Sequence, residues 1–353
     1  MKQLTLVCAV IISLSGSGCA LFSAVKSGNP NAIANAGGNA VLEAKKLKDD
    51  SAAYAKQSCD PIRKAEVSWD EERAMGGTVA VKMVSDNNGL VIDGNTEKVP
   101  ATLAEQAKTP GKVKLPDSPK NDLTAYLSVV GRNLARYSSR PDLPWTFAVI
   151  ENDTLNAYSM PGGYVILTSG LLKKMTNEAQ LAGVLAHEIG HVVYKHSINR
   201  YKEAKADQCE VTKSMAYLID KGAQGLPGDA KKLAGFAKYF DNFDLDKADG
   251  KFIVFFIEAI TTLVFGAGNP EADEFQADKT ALELVAFAGY DPTEYEGFLT
   301  KIGPEIKSAA THPKTADRVA KLKALREGEF APFATGVAKP DIAKAIAPVT
   351  GAK

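Results

Sequence analysis

The order His187, Glu188, His191 inside an apolar helical stretch constrains this chain more than any other feature. Asn177 with Gln180 three residues on marks a helix start, and Leu181, Val184, Leu185, Val192 and Val193 recur at helical spacing. No proline interrupts until well past His196, so one continuous helix is expected. Residues four apart on a helix differ by about 40° around its axis, so both imidazoles point one way and can bind one metal. Glu188 then stands at the edge of the same site. A metal there polarises a peptide carbonyl, and the Glu188 carboxylate takes a proton from the attacking water. The plain alternative is two surface histidines on a structural helix, and HExxH arises by chance in about one chain in a hundred of this length.

A third ligand must come from elsewhere. Ser197 stands six residues beyond His191, where three-histidine zinc endopeptidases carry a ligand, so that class is excluded. On a continuous helix His196 would lie about 140° from His191, which makes it a residue behind the site rather than a ligand. Downstream, Glu274 and Asp278 are four apart ahead of Leu282, Leu284, Val285 and Phe287. On one helix face Glu274 can complete a two-histidine, one-glutamate zinc site, while Asp278 accepts a hydrogen bond from a ligating histidine and fixes its tautomer. Glu271 and Asp273 read as an acidic first turn favoured by the helix dipole.

The remaining chain sets the surroundings. Lys+Arg and Asp+Glu balance at 42 each, so no overall basic field is present to hold nucleic acid, and 45% hydrophobic residues exclude bulk disorder. Lys2, an apolar run over 4–14 and the small residues at 15–18 read as a secretory signal, the run being too short for a bilayer span of about 20 residues. Cys19 follows it, where a bacterial lipoprotein is cleaved and lipidated, although Leu14 stands two places early for that signal. Residues 19–64 read as a tether or helical spacer with a helical section at 41–55. The folded domain is placed at 65–328, starting at a Ser68 N-cap with Glu71 as its capping-box partner. Within it are expected turns over 85–120 with one short hairpin at 90–99, a helix at 122–137 and strands at 146–150 and 164–168. The apolar stretch 252–265, interrupted by Glu258, reads as a buried helix, with a lid or membrane-contacting helix, or a membrane span, as the alternatives. Residues 329–353 read as a flexible tail. Cys59 and Cys209 form either a disulfide or two unpaired buried thiols.

Four stretches in order, NAYSMPGGYVILTSGLL (156–172), NEAQLAGVLAHEIGHVVYKHS (177–197), EADEFQADKTALELVAFAGYDP (271–292) and THPKTADRVAKL (311–322), resemble successive motifs of the HtpX and CAAX-prenyl-protease family of zinc endopeptidases. The resemblance spans roughly 66–328 and is nearest to the signal-bearing bacterial members of the envelope. It implies an α+β, mainly helical gluzincin-type metallopeptidase domain with a small β-sheet beside the HExxH helix. It implies one zinc per chain on His187, His191 and Glu274, with Glu188 as general base and Asp278 behind the ligands. His312 corresponds to a family histidine near the metal. It could stabilise the oxyanion, occupy the fourth metal position, or only begin the helix led by Pro313. The turn Gly162, Gly163 with Tyr164 and the following strand resembles the edge strand along which substrate lies, against the plain reading of a tight turn into a core strand.

The function expected is a zinc endopeptidase of unfolded or misassembled envelope proteins. It would sit at the periplasmic face, with Cys19 anchoring it to the outer membrane. The competing expectation is a non-catalytic metal-containing envelope lipoprotein, a chaperone or assembly scaffold.

Overall fold

The computed structural model describes residues 30–87, 89–92, 95–97, 122–222, 269–305, 315–333 and 341–342. The signal, Cys19, the apolar stretch 252–265, His312 and most of the expected tail lie outside the described residues. The chain divides into two compact units, Met1–Glu66 with Tyr201–Ile253, and Val67–Arg200 with Val254–Lys353.

In the first unit, helix α1 (Pro30–Lys64) is longer than the section expected at 41–55. Its end is held in three ways. Cys59 forms a disulfide with Cys209, which resolves the open alternative at these cysteines. Arg63 pairs with Glu203, Asp207 and Glu210 at 2.7, 2.7 and 2.6 Å, and Tyr54 packs against Tyr217.

The second unit opens with helix α2 (Trp69–Asp86), whose Ser68 and Glu71 form the expected capping box. Strands β1 (Leu90–Ile92) and β2 (Asn95–Glu97) make the expected short hairpin. Helix α3 (Asp122–Ala135) leads to β3 (Thr146–Ile150), β4 (Ala157–Met160) and β5 (Tyr164–Thr168), then to the short helix α4 (Ser169–Leu172). The sheet order is β2-β1-β3-β5-β4, antiparallel except for the parallel pair β3 and β5. The parallel register, Thr146 opposite Tyr164 through Ile150 opposite Thr168, is possible because β4 returns the chain before β5 begins.

This order corrects one expectation. The strand Tyr164–Thr168 pairs on both sides and is internal, so it offers no edge to a substrate; the outer strand there is β4.

The HExxH helix is α5 (Glu178–Val193), started by Asn177, whose side chain accepts the Gln180 N–H at 3.0 Å. It is buried nearly all round, so its stability comes from packing and not from a solvated face. A second correction falls here. The helix does not continue through His196: it stops at Val193, Lys195 turns left-handed at φ 56°, and a new helix, α6 (His196–Gly222), begins. Helices α7 (Glu271–Phe287), α8 (Pro292–Ile302) and α9 (Thr315–Glu327) complete the described α-helices. Leu127, Phe147, Leu167, Leu185, Leu282 and Phe298 come from α3, β3, β5, α5, α7 and α8 and are buried in one core.

Candidate metal centre

The centre is built where α5 and α7 cross. Small residues allow the approach: Gly190 of α5 lies against Ala277 of α7, and Ala277 and Ala281 are fully buried. That contact brings Glu274, one helical turn before Asp278, over the two histidines. His187, His191 and Glu274 each turn one ligand atom to a common point, all within 4.8 Å of one another. The two Nε2 atoms are 3.1 Å apart, and the Glu274 oxygens lie 3.6 Å from His187 Nε2 and 3.3 Å from His191 Nε2. Tetrahedral zinc with bonds of about 2.0–2.1 Å has ligand-to-ligand edges of about 3.3–3.4 Å, so this donor set fits that ion in type and spacing. All three side chains are buried, Glu274 fully. Glu188, adjoining His187, is 6% exposed.

Around these atoms each outward imidazole nitrogen has a partner. His187 Nδ1 lies 2.9 Å from Asp278 Oδ1, so its N–H donates there and Nε2 is left to the site. His191 Nδ1 lies 2.8 Å from His196 Nδ1, and His196 Nε2 lies 3.0 Å from Gln276 Oε1. An amide oxygen accepts only, so His196 carries its proton on Nε2, its Nδ1 accepts from His191, and His191 Nε2 faces the site bare. The break at Lys195 makes this possible: it swings His196 back onto His191, where a continuous helix would have carried it away.

Three residues of the centre, Arg318, Tyr295 and Asn269, are not marked by spacing within an element, although Arg318 lies within the stretch THPKTADRVAKL. Arg318 of α9, 5% exposed, donates Nε and Nη2 to Asp278 at 2.8 and 2.6 Å and Nη2 to Tyr295 Oη at 3.0 Å, with Nη1 3.7 Å from Glu274. Tyr295 of α8 donates its hydroxyl to Asp278 at 3.0 Å. Asn269, just ahead of α7, donates to Glu274 Oε1 and lies 3.3 Å from His191 Nε2.

Burial alone would raise the Asp278 carboxyl, but the Arg318 charge and hydrogen bonds, with His187, hold it well below the usual carboxylate range. Burial and Arg318 oppose a charge on His187, yet its bonds to Asp278 and Glu274 prevail and push it up to about 9. Burial lowers His191. The carboxylates of Asp278 and Glu274 thus favour positive charge on His187, while burial disfavours it on His191.

The family described as peptidase family M48 matches residues 121–326, which include every residue of this centre. The beta-barrel assembly-enhancing protease of Escherichia coli (strain K12) is 29% identical over 212 residues, covering 56% of this chain and 38% of that protein. The protein of the same name from Yersinia pestis is 26% identical over 196 residues, 54% of this chain and 35% of its own length. The mitochondrial metalloendopeptidase OMA1 of Schizosaccharomyces pombe is 28% identical over 209 residues, 57% of this chain and 52% of its own length. The match thus spans about a third to a half of these relatives.

Proposed function

This chain belongs to peptidase family M48 and is a metalloendopeptidase, and from that premise we propose a zinc enzyme that cuts unfolded or misassembled proteins of the bacterial envelope. The observation that carries the reading is the convergence of two buried imidazoles and one buried carboxylate at tetrahedral spacing, with Glu188 beside them.

In this reading His187, His191 and Glu274 hold one zinc, which supplies the Lewis acid that polarises the scissile carbonyl. Glu188 takes the proton of the attacking water and passes it to the leaving amine. Asp278 and His196 keep the imidazole tautomers that leave both Nε2 atoms toward the ion. For His312, which lies outside the described residues, the family resemblance implies a part in the reaction or at the metal, and the His312→Ala variant below tests it. Substrate lies extended along the outer edge of β4, ending at the Gly162–Gly163 turn beside Tyr164. Backbone pairing of this kind gives affinity with little sequence selectivity, which suits unfolded chains. The domain 65–328 carries the activity, 19–64 serves as spacer, and a lipid on Cys19 keeps the enzyme at the periplasmic face of the outer membrane. Among the described residues no helix is long and apolar enough to cross a membrane.

The test pairs zinc content with casein cleavage for the wild type and Glu188→Gln. The expected result is about one zinc in both proteins and cleavage by the wild type only. Zinc in both with cleavage by neither directs the test to His312→Ala: gained cleavage identifies a plugged enzyme, and continued silence sinks the peptidase reading in favour of a scaffold.

A further inference from the structure

The turn at the end of β4 is held by a buried carboxylate outside the metal centre. Glu72, in the first turn of α2, is 1% exposed. Its Oε1 accepts Arg140 Nη1 at 2.8 Å and the Gly162 backbone N–H at 3.1 Å. Its Oε2 accepts Arg140 Nη2 at 2.8 Å and lies 3.7 Å from Lys195 Nζ. Arg140 Nη1 also donates to the Val192 carbonyl at 3.1 Å, in the last turn of α5, one residue past His191. That carbonyl also accepts the Lys195 N–H at 3.1 Å, so the guanidinium adds a charged donor at the C-terminal end of the helix, where a cation is favoured.

The neighbouring residue completes the grip. Arg73 donates to the Gly162 carbonyl at 2.8 Å and to the Pro144 carbonyl at 3.1 Å, and its guanidinium lies 3.9 Å from the centre of the Tyr164 ring. Both polar groups of Gly162 are therefore held from α2, at a residue whose φ of 73° favours glycine. Gly76, one turn further along α2, faces the same turn so closely that a Cβ there would stand 1.7 Å from the Pro161 carbonyl oxygen. The Ser68–Glu71 capping box fixes the first turn of α2, and with it the place of Glu72. A small cleft is lined by Glu72, Met160, Pro161, Val192 and Lys195 together with His191.

Apolar side chains could fill the same space at similar or better stability, since a buried ion pair gains little over good packing. What the charges add is direction: two fixed hydrogen-bond ends, one on the β4–β5 turn and one on the helix that carries the histidines. We propose that Glu72 is a positioning residue for peptide cleavage. Through Gly162 it sets the height of the β4 edge, and through Arg140 it ties that height to the end of α5. An extended peptide paired along β4 then meets the metal centre with its scissile carbonyl in place. Helix α2 precedes residues 121–326, so Glu72 and Arg73 lie outside the part of the chain that the family match covers, while Arg140 and Gly162 lie within it. The inference rests on the peptidase reading above, with β4 as the strand that pairs with substrate.

The experiment measures kcat and KM for Glu72→Gln and Arg73→Met in the full chain. The substrates are a nested peptide series, from a reporter too short to pair along β4 to peptides that cover its four residues. Zinc content and thermal midpoint are measured beside them. Glu72→Gln keeps the shape and removes the charge; Arg73→Met removes the grip on the Gly162 carbonyl from a partly exposed position. The expected result is unchanged zinc content and a loss in kcat/KM that grows with peptide length, reaching about tenfold or more for the longest peptides and less for Arg73→Met. Equal losses at every length mean a merely structural role and overturn the inference, as does an intact gain with length. If Glu72→Gln does not fold, Arg73→Met decides by the same criterion. A wild type that cuts without gaining from length overturns this inference alone. A zinc-loaded wild type that cuts no peptide overturns the peptidase reading and this inference with it.

Discussion

Replacing Arg318 by methionine leaves the Asp278 carboxylate buried without its guanidinium. Asp278 is 2% exposed and takes two hydrogen bonds from Arg318, at 2.8 and 2.6 Å. Removing one partner of a buried pair costs about 3–5 kcal/mol, because the remaining charge keeps its desolvation penalty and loses its counter-ion. The low end applies here, since the Tyr295 hydroxyl at 3.0 Å and the His187 N–H at 2.9 Å still reach Asp278. A loss of about 3 kcal/mol, at about 2–4 °C per kcal/mol for a domain of about 150–250 residues, lowers the thermal midpoint by about 6–12 °C. The assay is thermal unfolding at pH 7 with a chelator present, so that bound metal adds no stability of its own. Asp278→Asn in the same background should recover at least about 1 kcal/mol relative to the sum of the single changes. The pH dependence has a definite sign. The folded Asp278 carboxyl lies below its unfolded value, so its stabilisation is present above about pH 4 and is lost as pH falls through the folded value. In Arg318→Met burial pushes the same carboxyl up, it takes a proton sooner, and the gap from wild type narrows on acidification. A drop under about 2 °C, or strict additivity with Asp278→Asn, refutes the account of this cluster.

His196→Ala removes the acceptor that holds the His191 tautomer, and zinc affinity should fall by about 10–100-fold in competition with a chromogenic chelator, with activity regained at saturating zinc; unchanged affinity would show that His196 only fills space. Cys209→Ser opens the disulfide to Cys59, a link across a sequence separation of 150, for which loop-closure entropy gives up to about 5 kcal/mol. Its thermal midpoint should lie below that of the wild type and become insensitive to dithiothreitol, and a midpoint equal to the wild type's in both conditions would count against a stabilising role.

What the sequence made legible and what it hid divide along one physical line. Periodicity within an element gives relative direction, so the pairing of His187 with His191, and of Glu274 with Asp278, could be read from spacing four. Caps are equally local: Asn177 with Gln180 and Ser68 with Glu71 both make the predicted bonds. Contacts between elements leave no such trace. Arg318 sits in a polar stretch of α9, where an arginine ordinarily faces water, and only the packing of α9 against α7 and α8 turns it onto Asp278 and Tyr295. Glu72 reads as one more acidic residue in a first turn, a position that the helix dipole already explains, so nothing local marks it as buried. The helix break ahead of His196 was hidden for a different reason. The helix ends at Tyr194 and Lys195 without glycine, asparagine or proline, and the left-handed residue is a lysine. That lysine lies 3.7 Å from the Glu72 carboxylate, and Arg140 from the same cluster holds the Val192 carbonyl, so the turn is supported by charges distant in sequence rather than by its own residue types. The break that returns His196 to His191 and the clamp on the β4 turn thus share one cluster. Loosening Glu72 should therefore disturb the β4 edge before it disturbs the ligands, because Gly162 is bonded to it directly while His191 is reached through Arg140 and Val192 or through Lys195 and His196.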